Sequence, residues 1–230
     1  MEFTDIAMEL SKEAWQASFQ HPFVLQLQEG NLEPSIFRYY LIQDAYYLKS
    51  FSEAYHLLAD KTSNEEMKRL LKQNAQSLVE GELFIRQQFF KELGISDQEM
   101  EQHPIAPTCY HYISHIYRQF AESNLGIAFA SLLPCPWLYH DLGKALNRKP
   151  SPNPLYQRWI ETYITDELEQ QIKEEEALVN QLYRESDETD KQKMLEAFHR
   201  SVHMEAKFWE MAYQHQTWTS DLQSLETEKK

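Results

Sequence analysis

Apolar and aromatic residues recur at helical spacing through long parts of this chain, and that rhythm constrains the fold most. From Pro34 to about Asp60 the run comprises Phe37, Tyr40, Leu41, Tyr47, Leu48, Phe51, Tyr55 and Leu58. Such spacing gives a helix one apolar face to bury. The rhythm returns between Asp166 and Arg184, through Leu168, Ile172, Leu178 and Leu182. It returns again from about Thr189, through Met194, Leu195, Phe198, Val202, Phe208 and Trp209. Only 5 Gly and 9 Pro occur in 230 residues, too few for a loop-rich β fold. Long periodic helices on short connections predict an all-α, single-domain helical bundle over 1–218, with a polar tail over 219–230.

Local signals place the helix ends. Thr4 is expected to cap a first helix through Ile6, Leu10, Ala14, Trp15 and Phe19, ended by His21-Pro22. Phe23 to Leu27 reads as a short helix stopped near Gly30. Ser63-Asn64-Glu65-Glu66 fits a capping box for a helix reaching Gly94. Gly81 inside that helix is expected to mark close packing, with Glu80 and Glu82 in a solvated turn. Ser96 offers another cap, and Thr108 is expected to cap a helix through Tyr112, Ile116 and Phe120. The acidic run Glu174-Glu175-Glu176 reads as a solvated face.

The stretch Leu132-Leu133-Pro134-Cys135-Pro136-Trp137-Leu138-Tyr139 interrupts this pattern. Proline inside a helix removes a hydrogen bond and clashes with the preceding turn, so a break is predicted near Leu133. Proline is tolerated where a new helix begins, which puts Cys135 at a helix start. Free N–H groups and the macrodipole there favour a thiolate. Tyr139, four residues on, shares its face. The segment from Ile127 to Leu133 is too apolar for a surface helix, so Cys135 is expected to be reached from inside the core. A buried, inert cysteine at a bend is the plainer alternative.

Two acids fall among apolar residues. Asp44 lies on one side of its helix with Tyr47, Phe51 and Tyr55. Glu205 lies on or beside the face formed by Phe198 and Phe208. A buried carboxylate must be paired or carry a shifted pKa, so an inward acid suggests a site. An exposed edge or structural acceptor at Asp44, and a flanking salt bridge at Glu205, are the competing readings. His111 and His115 have metal-binding spacing, but a polar helix face is the plainer account of them, and His199 and His203, also four apart, come with no HExxH motif.

The net charge of -14 disfavours nucleic acid and anionic membrane surfaces. The 2 Cys form neither a metal-type CxxC nor a disulfide framework. Met1 to Asp5 lacks the basic start and apolar run of a signal peptide, and no stretch approaches a membrane span. A cytoplasmic protein with free thiols is expected. The aromatic load of 13 Tyr, 12 Phe and 5 Trp suits a pocket for a flat ligand.

Together these residues resemble the TenA family, thiaminase II, of the haem-oxygenase-like helical fold. The resemblance spans nearly the whole chain. It runs from Trp15 and His21-Pro22-Phe23 through the block Arg38 to Leu48, Tyr112 to His115 and the Pro134-Cys135-Pro136 stretch. It continues over Tyr156 to Tyr163 and closes at Glu205 to Trp209. The resemblance implies a salvage hydrolase converting 4-amino-5-aminomethyl-2-methylpyrimidine to the hydroxymethylpyrimidine plus ammonia, and able to cleave thiamin. It implies Cys135 as nucleophile, Glu205 as acid/base, Asp44 as anchor of the aminopyrimidine and Tyr47 as activator of the thiol. It implies that Tyr112, Tyr139 and Tyr163 shape the pocket, with Phe51 and Phe208 among the rings that stack on the substrate. No metal or other cofactor is implied, and the assembly would be a homotetramer. Ile164-Thr165 is less typical of the family.

Two rivals predict different observations. A metal oxidase on the same scaffold would draw ligands from Asp44, Glu82, His111, His115, His199 or His203 and purify with iron or manganese. A non-enzymatic regulator would bind a small ligand without turning it over.

Overall fold

The computed structural model describes residues 1–218, apart from the side chains at positions 80 and 82–86. Every regular element among them is helical. Helices α1 (Phe3–Phe19) and α2 (Pro22–Glu29) lead into α3 (Pro34–Lys61). Helix α4 (Glu65–Ser77) passes through a π-helical turn (Leu78–Leu83) into α5 (Phe84–Leu93). Helices α6 (Asp97–Gln102), α7 (Pro107–Glu122), α8 (Leu125–Leu132) and α9 (Pro134–Leu146) follow. Helices α10 (Pro154–Glu161), α11 (Asp166–Glu185) and α12 (Glu188–Tyr213) complete the described chain. The tail expected from Thr219 lies outside the described residues, and none of the described helices is long and apolar enough to cross a membrane.

The two longest helices, α3 and α12, hold the centre. Helix α12 packs along α1 and α8, while α3 packs along α4 and α7. The apolar stripe predicted for α3 describes only its second half. From Ile36 to Asp44 nearly every residue is buried, so neighbours surround this half. Trp209 of α12 joins the elements that matter below. Its ring lies 5.1 Å from Phe23, 5.6 Å from Tyr40 and 5.2 Å from Tyr139, tying α2, α3 and α9 to α12. Such ring pairs add directional preference to ordinary burial.

The predicted break falls where expected, at the α8–α9 junction. Leu133 keeps right-handed helical angles, φ -55 and ψ -35, so the joint does not leave helical geometry. Pro134 and Pro136 supply no N–H, and Cys135 stands in the first turn of α9. Ser201 Oγ of α12 donates to the Ser131 carbonyl at 2.8 Å, holding the joint against the central helix. Gly126 to Leu132 are all buried, so the approach to Cys135 runs through the core as expected.

Several helix ends differ from expectation. Glu2, not Thr4, caps α1, and Asp5 accepts from the Glu2 N–H at 3.3 Å. The Thr4 N–H and hydroxyl instead donate to Asn180 Oδ1, docking α1 on α11. Asn64 caps α4 in place of Ser63, accepting from the N–H groups of Glu66 and Met67. Pro107 opens α7 after Ala106, and the Thr108 N–H donates to Gln216 Oε1. The single helix expected up to Gly94 is broken by the π-helical turn, which contains Gly81. A Cβ at Gly81 would meet nothing within 4 Å, so close packing is not its reason. The side chains of Glu80 and Glu82 lie outside the described residues.

Glu175 is the main correction to the surface reading. It is fully buried, sharing a face with Ile172 and Val179. Its Oε1 accepts from Tyr55 Oη at 2.7 Å, Asn74 Nδ2 at 2.7 Å and Gln171 Nε2 at 3.1 Å. Its Oε2 has no hydrogen-bond partner among the described residues. Burial pushes the carboxyl from 4.5 to about 7, against the lowering effect of those donors. The folded chain thus keeps a proton that the unfolded chain loses near its ordinary value. The stability this group contributes is full below about pH 4.5 and is lost as pH rises to about 7. Glu175→Gln is therefore expected to gain on the wild type by on the order of 3 kcal/mol between pH 4.5 and 8. Denaturant unfolding at the two pH values measures this, and a difference that does not change with pH would contradict it.

Candidate active site

Two helices and a turn deliver candidate groups to one place. Asp44 and Leu48 come from α3, Cys135, Pro136 and Tyr139 from the first turns of α9, and Tyr163 from the turn after α10. These six residues line a cleft of about 220 Å³. The space between these walls is tight, about the room for one water. The walls must part to admit a flat ring. A wider groove of about 1050 Å³ runs between α4 and α11, but Glu66, Arg69, Gln73, Glu174 and Gln181 along it are exposed. Convergence of buried acid and thiol, rather than size, selects the cleft.

Asp44 is buried, not at an exposed edge. Tyr40, one turn earlier on α3, donates to Asp44 Oδ2 at 3.3 Å and lies 3.4 Å from the Tyr139 hydroxyl. This bridge links the acid of α3 to the tyrosine one turn above Cys135. Cys135 is 8 % exposed, so its sulfur is reached from the cleft. Cys109, the other cysteine, is buried beneath α3, with its Sγ donating to the Gln43 carbonyl at 3.4 Å. Burial raises its pKa, which leaves it a protonated core side chain.

Glu205 is 2 % exposed and makes no flanking salt bridge among the described residues. Its Oε1 accepts from the Tyr112 hydroxyl at 2.6 Å. Burial lifts the carboxyl from 4.5 to about 8, the Tyr112 bond pulls it down, and Asp44 adds a further upward push. Asp44 thus acts on Glu205 through space, and Glu205 keeps its proton near neutrality.

Tyr47 completes this arrangement. Its ring centre is 4.8 Å from that of Tyr112, and its buried hydroxyl has no hydrogen bond of good geometry among the described residues. Burial pushes the Tyr47, Tyr112 and Tyr139 hydroxyls well above 10. Cys135 contributes to the shifts at Tyr47 and Tyr112, which puts the thiol in the same electrostatic neighbourhood as the pair. Phe51 and Phe208 lie against Tyr47, with ring centres at 5.3 and 5.7 Å, and sit behind it rather than along the cleft. Tyr139 and Tyr163 face each other at 4.9 Å.

The residues of the metal reading do not gather. His111 is exposed, and His115 Nε2 meets the Ala197 carbonyl at 3.3 Å. His199 contacts Ser11 Oγ and His203, both at 3.1 Å. Among the described residues no three His, Cys, Asp or Glu side chains come together as a metal site, and the Glu82 side chain lies outside the description.

Comparison with known proteins fits this geometry. The TENA/THI-4/PQQC family model matches residues 10–215. The chain belongs to the TENA/THI-4/PQQC family. Within that family it is 35% identical over 219 residues to an aminopyrimidine aminohydrolase of Bacillus subtilis (strain 168), covering 95% of this chain and 93% of that protein. A TenA homologue from P.horikoshii OT3 superposes with a TM-score of 0.85 at 24% identity, covering 93% of this chain and 99% of the other. A Shewanella denitrificans OS217 domain described as having a heme oxygenase-like fold superposes at 0.71 with 12% identity, over 94% of this chain and 93% of that one. The fold is therefore all-α and haem-oxygenase-like.

Sequence reasoning left out Tyr40, which it counted only as a core aromatic. The signal was present, since Tyr40 and Asp44 are four apart on one helix. Tyr112 carries a direct test of the electrostatics. Tyr112→Phe removes the bond that holds Glu205 down, so the Glu205 pKa is expected to rise above about 8. Following the labelled carboxyl by NMR through a pH titration measures this, and an unmoved titration would contradict it.

Proposed function

We propose that this chain is an aminopyrimidine aminohydrolase. It hydrolyses 4-amino-5-aminomethyl-2-methylpyrimidine to the hydroxymethylpyrimidine and ammonia, and it also cleaves thiamin. The observation that carries this reading is the shared cleft of Asp44 and Cys135, with the protonated Glu205 electrostatically coupled to Asp44. The name borne by the Bacillus subtilis relative supports the same reaction class.

The chemistry follows from the placement of the groups. Asp44 accepts from the amidine-like edge of the aminopyrimidine and holds the ring in place. The Cys135 thiolate adds to an electron-poor ring carbon, forming a C–S bond and ending the ring's aromaticity. The electron pair then expels the amine from the exocyclic methylene as Glu205 protonates it. Ammonia leaves, and Glu205, now a carboxylate, takes a proton from water as the oxygen bonds to that methylene. Loss of the thiolate restores the aromatic ring and the free enzyme. Helix α9 supports the thiolate with its first-turn dipole, and Tyr47 and Tyr112 lie beside it.

A Glu205 pKa near 8 suits a group that must give up a proton at neutral pH. Residues 1–218 act as one catalytic unit in this reading, within a cytoplasmic homotetramer.

Ammonia release from the aminopyrimidine and thiazole release from thiamin test the proposal. Cys135→Ser is expected to fall to background, and Glu205→Gln to lose about 10²–10⁴-fold in kcat. Asp44→Asn is expected to raise KM by about ten- to a hundredfold, the cost of a charge-assisted hydrogen bond. The wild-type rate should decline above about pH 8 as Glu205 loses its proton. Full turnover by Cys135→Ser would refute the role of the thiol.

A further inference from the structure

Tyr163 is the one cleft residue not carried on a long helix. It follows the end of α10, in a turn whose backbone closes with Tyr163 N–H donating to the Ile160 carbonyl at 3.2 Å. Its ring nevertheless stands against Tyr139 and lines the cleft with Cys135. Something must fix this turn relative to α9, because a small displacement would change the width of a narrow slot.

Two features of α9 do so. His140 is 5 % exposed and directs Nδ1 at the Tyr163 carbonyl, 2.8 Å away. A carbonyl only accepts, so Nδ1 carries the proton in this bond. The other ring nitrogen, Nε2, has no hydrogen-bond partner among the described residues, and Glu169 Oε2 lies 4.0 Å from it. The ring is therefore held by its bond to Tyr163. One turn further along α9, Gly143 brings the helix backbone against the same turn. A Cβ there would meet Ile164 Cγ2 at 3.0 Å, Tyr163 Cβ at 3.1 Å and the Ile160 carbonyl at 3.3 Å. Gly143 is an ordinary helical residue, so its reason is space rather than backbone freedom.

We propose that His140 and Gly143 are positioning residues that clamp the Tyr163 turn to α9, the helix that begins at Cys135. The clamp sets the gap between the Tyr163 ring and the Cys135 sulfur, and with it the affinity for a flat heterocycle. His140 touches neither substrate nor thiol and acts through the Tyr163 backbone. Gly143 acts by letting the turn approach. The inference rests on the proposed aminopyrimidine reaction.

Steady-state kinetics of ammonia release by wild type, His140→Asn, His140→Gln and Gly143→Ala test it. An Asn amide nitrogen sits where Nδ1 does and can still donate to the Tyr163 carbonyl, whereas a Gln nitrogen sits where Nε2 does. His140→Asn is expected to keep KM within about threefold of wild type. His140→Gln is expected to raise KM about tenfold with kcat within about threefold, since binding rather than chemistry is disturbed. Gly143→Ala, which keeps the histidine, should raise KM in the same way and gives an independent reading if a His140 variant fails to fold. Equal KM for the Asn and Gln variants, or an unchanged KM in folded Gly143→Ala, overturns the clamp. No ammonia from the wild type would overturn the proposed reaction, and the clamp with it. Wild-type turnover with unchanged KM in every variant would overturn the clamp alone.

Discussion

Two prolines on either side of a cysteine dictate where one helix ends and the next begins, and the site is arranged around that joint. The backbone at Leu133 stays helical, yet the missing N–H groups at Pro134 and Pro136 interrupt the hydrogen-bond ladder. Cys135 gains a place in a first helical turn while remaining inside the core. The cost of burying such a joint is met by its neighbours. Ser201 binds the Ser131 carbonyl, and α8 is apolar on every side, so the joint cannot drift toward solvent.

The acids illustrate how burial decides protonation. Asp44 and Glu205 lie among aromatic rings, and Asp44 raises the pKa of Glu205. Each is bonded by a tyrosine, Tyr40 at Asp44 and Tyr112 at Glu205. Neutral hydroxyl donors steady a carboxyl without supplying a countercharge, so desolvation prevails at Glu205. A cation in place of Tyr112 would have held Glu205 ionised. Glu175 follows the same rule away from the cleft, where three neutral donors fail to offset complete burial.

Periodicity and proline chemistry made much of this legible. They predicted the all-α fold, the break before Cys135 and the inward setting of Asp44 and Glu205 as one of two readings. They did not bring the three groups together, since spacing along a helix says nothing of which helices meet. The expected gathering came from resemblance to a family. Glu175 was readable, because Ile172, Glu175 and Val179 recur on one face, but the acidic run around it suggested solvent. The caps slipped where Asn64 competed with Ser63 and where Pro107, not Thr108, began the helix. The π-helical turn at Leu78–Leu83 left no signal beyond Gly81.

A crystal structure of the protein soaked with 4-amino-5-hydroxymethyl-2-methylpyrimidine tests the convergence of the three groups most directly. The account predicts the ring packed against Tyr139 and Tyr163, its amino edge on Asp44, the Cys135 sulfur beside a ring carbon and Glu205 at the hydroxymethyl group. A ring bound instead in the groove between α4 and α11, with the cleft closed, would contradict it.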